Sequence, residues 1–337
     1  MKTKIVYILI SSESDIYLEQ LWYSLYSLRL HNKEANVVLL TDEATEKTLV
    51  GYRSGIKKFL TSIQVVDVPK TYTPKERSRF IKTSFRKYIN GSLLFLDTDT
   101  IIAEDLSTID LIEADVACVL DSHAQLDKIF YGESIRKRMM HIFGINVQHE
   151  NRYFNSGVML VKDSPIVHRL FDEWHRNWKI AAFEKGQCFD QPALMASDIA
   201  CGHVIKELPG IWNCQVLTSI QYLHHAKVIH FFNFPCEGKS EWSPFFDDET
   251  FLQLKRSGMI TDEMRDYLSD PKSAFFSPTY FKGKVSTEFL NTLVGVTLYH
   301  EFKKNGFLYR MVNILCVVRY SLKQLARKSG LVALLNK

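Results

Sequence analysis

This 337-residue chain has six cysteines but no CxxC pair, and Cys118, Cys188, Cys201, Cys214, Cys236 and Cys316 stand at irregular intervals. That spacing excludes a zinc knuckle and a small disulfide framework, and it fits a reducing cytosol. Net charge is also scarce. The 42 Lys and Arg exceed the 38 Asp and Glu by four, too little for nucleic-acid binding through broad phosphate neutralisation. No run reaches the 18 or so uncharged apolar residues that span a bilayer. At the start, Lys2 and Lys4 precede only a short apolar run at residues 5–10, with no small-residue cleavage site, so the segment reads as a buried strand and not a secretion signal. What is present, 46% hydrophobic and 24% charged residues, is the composition of a globular protein. The length is about twice that of a common domain, which allows one large α/β domain with additions or two domains.

Strand and helix patterns alternate along the first two thirds. Residues 4–10 form an apolar run, and in 15–30 Leu18, Leu21, Trp22, Leu25 and Leu28 recur at three- and four-residue steps, the spacing of a buried helical stripe. A second run, 36–41, ends in Asp42, which can cap a helix reaching Phe59. Strand signals recur at 63–68, 92–96, 116–120, 153–161 and 228–232, with helical patterns at 76–89, 165–183 and, opened by Asp190, 191–199. A polar insertion at 121–152 holds a short helical stretch at 134–143. Strands apolar on both faces and alternating with helices predict a mostly parallel sheet covered on two sides. Beyond Pro244 the pattern is helical. Residues 299–337 carry eight basic residues against Glu301 alone, leaving the rest of the chain near neutral. There Leu308, Met311, Val312, Leu315, Val318, Leu322 and Leu325 mark one face of a helix, a pattern that suits an anionic membrane interface or docking on protein.

The sharpest chemical feature is LLFLDTDTII at 93–102, where an apolar strand delivers Asp97 and Asp99 to its C-terminal end, the edge at which open α/β sheets bind ligands. In an extended segment, side chains two apart share one side, so both carboxylates can converge on a hard cation such as Mn²⁺ or Mg²⁺. Turn or capping aspartates are the plain alternative. The letters Asp97, Thr98, Asp99 and Thr100 also satisfy the DxDxT of haloacid-dehalogenase-like phosphatases, with Asp247 and Asp248 as a later acidic pair, although that motif usually sits on a first strand. A catalytically silent sugar-nucleotide or carbohydrate-binding module is a third reading.

Taken in order, DTD at 97–99, FNSGVMLV at 154–161, DQPAL at 190–194 and VIHFF at 228–232 resemble glycosyltransferase family 8, which includes glycogenin-like and lipopolysaccharide galactosyl- and glucosyltransferases. The resemblance covers residues 5–239. It implies a GT-A, Rossmann-like catalytic domain over 1–243 and leaves 244–337 as a helical extension with a basic amphipathic tail. It further implies a retaining transfer of glucose or galactose from a UDP-sugar to a glycan or glycolipid acceptor of the cell-surface or lipopolysaccharide type. Asp97, Asp99 and His230 are the implied ligands of Mn²⁺ or Mg²⁺. Asp190 and Gln191 are implied at the transferred sugar, with Asp190 also readable as an N-cap, and Asn155 is a candidate for its hydroxyls beside a glycine, Gly157, that allows close backbone approach. Ion-pair departure and a covalent intermediate on Gln191 or Asp190 both stay open. Of the basic residues Arg77, Arg79, Lys82, Arg86 and Lys87, the resemblance singles out Lys82 for the donor, the others reading as solvated. Ser11, Ser12, Tyr17 and Thr98 are the candidates for the nucleotide, Tyr17 by stacking on uracil or else by packing on its helix. The family's Lys-Pro-Trp after the histidine is absent, and Lys239 and Trp242 form a displaced version. These readings place the protein in the cytoplasm, peripheral to the inner membrane face, with no role for nucleic acid.

Overall fold

The computed structural model describes residues 1–129, 131–232, 243–275, 292–303 and 306–328. Ten strands are described: β1 (Lys4–Leu9), β2 (Val37–Asp42), β3 (Ser62–Val66), β4 (Leu93–Leu96), β5 (Thr100–Ile102), β6 (Val116–Leu120), β7 (Phe154–Val161), β8 (Ile205–Glu207), β9 (Cys214–Gln215) and β10 (Val228–His230). The described α-helices are α1 (Tyr17–His31), α2 (Glu43–Glu46), α3 (Pro74–Ser84), α4 (Gly132–Phe143), α5 (Pro165–Lys179), α6 (Asp190–Ala200), α7 (Asp248–Ser257), α8 (Asp262–Ser269), α9 (Leu293–Lys303) and α10 (Phe307–Lys328). The chain divides into two compact units, Met1–Phe281 and Lys282–Lys337.

The first unit is built on a seven-stranded sheet in the order β3-β2-β1-β4-β7-β6-β8, with a small sheet β5-β10-β9 beside it. Every pairing in the large sheet is parallel except those of β7, which runs against β4 and β6. Alternate residues of β1 serve different cores. Ile5, Tyr7 and Leu9 pack with Leu18, Leu21, Leu25 and Leu28 of α1 and with Phe251 and Met264 of α7 and α8. Val6 and Ile8 pack with Ile81 of α3 and with Leu170, Phe171 and Trp174 of α5. Period-two burial on both faces of a central strand makes this a three-layer α/β sandwich.

Several boundaries differ from the sequence expectation. Asp42 does cap a helix, its side chain accepting from Thr45 N–H, but α2 ends after one turn at Glu46, and from Gly51, which adopts a φ of 54°, the chain continues to Phe59 as a separate 3₁₀ segment. The 3₁₀ and π turns at Phe85–Lys87 and Ile180–Glu184 close α3 and α5. In the second unit α9 is followed by α10, which has exposed apolar side chains at Leu308, Met311, Leu315, Val318 and Leu322, and at Ile314 and Val317 off the expected stripe. No helix among the described residues is long and apolar enough to cross a membrane.

Candidate active site

The reversed strand explains why distant motifs meet. Because β7 is antiparallel, its N-terminal residues lie beside the C-terminal ends of β4 and β6, with Val158 opposite Leu96 and Phe154 opposite Leu120. Asn155, Ser156 and Gly157 therefore stand between Asp97, which follows β4, and Asp121, which follows β6. β10 reaches the same edge through the small sheet, pairing His230 with Thr100.

Asp97 and Asp99 do not converge along an extended segment, as the spacing alone suggested. A turn brings them together, closed by Thr100 Oγ1 donating to Asp97 O at 2.8 Å, while Asp97 N–H donates to Gly157 O at 2.8 Å. One ligand atom from each of Asp97, Asp99 and His230 lies within 4.8 Å of the others, and His230 Nε2 is 3.3 Å from Asp99 Oδ1. Two carboxylates and an imidazole form a donor set that fits a divalent cation. Lys82 Nζ binds both Asp97 oxygens at 2.9 Å, and each carboxylate oxygen keeps a further lone pair for a cation.

The imidazole of His230 lies directly over Gly157. A Cβ at position 157 would come 2.3 Å from His230 Cε1, so the close approach that this glycine permits is to the histidine ring. Phe232 stacks on the other part of this arrangement, its ring centroid 3.8 Å from that of His230, and it holds a φ of 49°. A left-handed backbone at a bulky aromatic residue is strained, and such positions cluster at functional sites.

Asp190 is the first residue of α6 and not its N-cap, a position held by Phe189. Its carboxylate instead pairs with Arg79 Nε at 2.9 Å and Lys82 Nζ at 3.6 Å and accepts from Ser156 Oγ at 2.7 Å. Burial pushes this carboxyl's pKa up, but Arg79, Lys82 and the Ser156 hydroxyl outweigh it and hold it well below the usual carboxylate range. Asp121 collects a second network, accepting from Asn155 Nδ2 at 2.9 Å, Gln191 Nε2 at 3.2 Å and the Tyr131 hydroxyl. Gln191 also donates to Phe154 O at 3.1 Å. Asn155 is thus buried with its amide engaged by protein groups on both sides.

An open cleft of about 640 Å³ runs along the ends of β1 and β4, lined in part by Tyr17, Lys75, Arg79, Lys82, Asp97 and Thr98. Tyr17, at the first turn of α1, presents its ring to the cleft and to solvent. Ser11 and Ser12 follow β1, and both hydroxyls bind Asp15, at 2.7 and 3.0 Å, with Arg53 donating to Ser11 Oγ at 3.0 Å. Lys239 and Trp242 lie outside the described residues. Sequence reasoning missed Arg79, Asp121 and Asn213. It also took the basic side chains around α3 as solvated, whereas Arg77 pairs with Asp42 and Arg86 is buried beside Asp163.

The model of glycosyl transferase family 8 matches residues 8–236, a stretch that contains every motif of this site. The chain belongs to glycosyl transferase family 8. It is a glycosyltransferase, a class that moves sugar from a nucleotide-sugar donor to a glycan acceptor, and the phosphatase reading of the DxDxT letters falls with that membership. A search of the curated proteins gives no significant match. Among solved structures, mouse xyloside xylosyltransferase 1 in its apo form is similar at 15% identity and a TM-score of 0.48, over 70% of this chain and 100% of that one. The bifunctional glycosyltransferase WbbM is similar at 18% identity and 0.48, over 80% of this chain and 52% of that one. The galactosyltransferase LgtC, solved with donor and acceptor sugar analogues, is similar at 14% identity and 0.47, over 78% and 99%.

Proposed function

We propose that this family 8 enzyme transfers a hexose, glucose or galactose, from UDP to a surface-glycan or lipopolysaccharide-type acceptor with retention, using Mn²⁺ or Mg²⁺ held by Asp97, Asp99 and His230. The observation that carries the reading is the meeting of those three side chains at the end of a cleft bordered by Lys75, Arg79 and Lys82. A divalent cation there supplies charge stabilisation for the departing diphosphate.

The chain's own residues complete the site. Lys82 and Arg79 set positive charge beside the leaving group, and the buried Asp190 holds both cations in place. Ion-paired on two sides and weakly basic, Asp190 is a poor nucleophile, and an amide such as Gln191 is poorer still. This favours front-face departure and attack within an ion pair over a covalent intermediate. Tyr17 offers a stacking surface for the base and Thr98 lines the cleft beside the two aspartates, while Ser11 and Ser12, just past β1, are assigned to the nucleotide on the sequence reading alone. Lys239 is assigned to the diphosphate on the motif alone.

We assign residues 1–243 to catalysis and 244–337 to a helical extension, and we place the protein in the cytoplasm, with the basic, apolar surface of α10 resting on an anionic membrane face where a lipid-linked acceptor is met. The enzymatic part is tested by incubating the protein with UDP-glucose or UDP-galactose and Mn²⁺. Slow release of UDP that stops on chelation is the expected result. Inorganic phosphate released from simple phosphoesters, or UDP bound without turnover, contradicts it.

A further inference from the structure

The amides behind His230 form a chain whose polarity is set by one backbone group. Gly157 N–H, which can only donate, meets Asn155 Oδ1 at 2.9 Å. The same oxygen faces the Asn213 amide at 2.9 Å, so the Asn213 atom there is the nitrogen. Asn213 must then turn Oδ1 toward His230 Nδ1, 3.0 Å away, and that ring nitrogen has to carry the proton. The opposite tautomer would set two lone pairs against each other at this contact. Asn213 is fully enclosed and Asn155 is 4% exposed, so water cannot relieve the mismatch.

We propose that Asn155 and Asn213 are positioning residues that lock the His230 imidazole as the Nδ1–H tautomer and so present the Nε2 lone pair to a cation between Asp97 and Asp99. The cation in this statement rests on the proposed metal site; the tautomer does not. Asp121 anchors the far end, accepting from Asn155 Nδ2 at 2.9 Å. His230 would otherwise be free to donate Nε2–H to Asp99, 3.3 Å away, which hides the lone pair that a metal needs.

The test is ¹⁵N NMR of the metal-free, histidine-labelled protein, well above the ordinary histidine pKa of about 6.5, joined to Mn²⁺ titrations followed by electron paramagnetic resonance. His230 in the wild type is expected as the Nδ1–H form alone. In Asn213→Leu the ring is expected to become a mixture of tautomers, with Mn²⁺ affinity falling about ten- to a hundredfold while the melting transition stays cooperative. Wild-type His230 found as the Nε2–H form or as a mixture overturns the proposal, and this measurement stands even where the variant fails to fold. A folded Asn213→Leu with wild-type Mn²⁺ affinity overturns it too. A wild type that holds the tautomer yet binds no Mn²⁺ defeats the metal reading and with it the presentation of the lone pair to a cation.

Discussion

Position 157 shows how much a single side chain decides. With a Cβ only 2.3 Å from the His230 ring, any residue other than glycine would force the imidazole or the β7 backbone to shift, breaking up an arrangement in which Asn213 and Phe232 also hold the ring. Asp190 is decisive in a different way. A buried carboxylate is costly unless paired, and its partners Arg79 and Lys82 both face the cleft. The same charge that makes Asp190 tolerable inside therefore holds two cations at the surface where a diphosphate would lie. Lys82 also bridges to Asp97, so the ion-pair network runs from the first turn of α6 to the end of β4.

At the scale of elements, α3 and α5 are joined across the second core by Thr83 and His175, whose Oγ1 and Nδ1 lie 2.8 Å apart, with Phe80 and Trp178 against the ring. Burial lowers the pKa of His175 to about 4. Because the folded value lies below that of about 6.5 for a free histidine, the unfolded chain binds the proton first as pH falls. Stability contributed by neutral His175 is complete above about pH 6.5 and is lost as pH drops toward 4, at up to about 1.4 kcal/mol per pH unit. His123 shares the window, its pKa also lowered to about 4 by burial and by His230. His175→Gln is expected to flatten the stability profile between pH 4 and 6.5, as read by urea unfolding at several pH values; an unchanged slope would contradict the assignment. The long elements were legible because uninterrupted apolar runs and three-to-four-residue periodicity survive in sequence. The strands β5, β8 and β9 were not, because two or three residues, such as the mostly exposed Ile205–Glu207, carry no period. Lys75, Arg79, Lys82 and Arg86 recur at three- and four-residue steps, a basic stripe that was available for reading. Asn213 gave no signal, since a lone asparagine before a two-residue strand acquires its role only through partners far along the chain.

At the scale of the whole molecule, the family motifs were readable but their geometry was not. Nothing in FNSGVMLV says that its strand runs backwards, yet that reversal is what brings Asn155 and Gly157 beside Asp97 and His230. The second unit makes its own test. The described part of α10 has no acidic residue and exposes apolar side chains at Met311, Ile314, Leu315 and Val318, and each Lys or Arg near an anionic surface contributes about 1 kcal/mol. Ending the chain near Lys303 is expected to weaken sedimentation with phosphatidylserine vesicles, and equal sedimentation would remove the membrane role. The central claim is that three side chains from two segments distant in sequence hold one cation against a diphosphate, and the most direct measurement is anomalous diffraction at the manganese edge from crystals soaked with Mn²⁺ and UDP. The account predicts one strong peak in bonding contact with Asp97, Asp99 and His230, with UDP density running from it toward Tyr17; UDP bound in the cleft with no peak among these three side chains would contradict it.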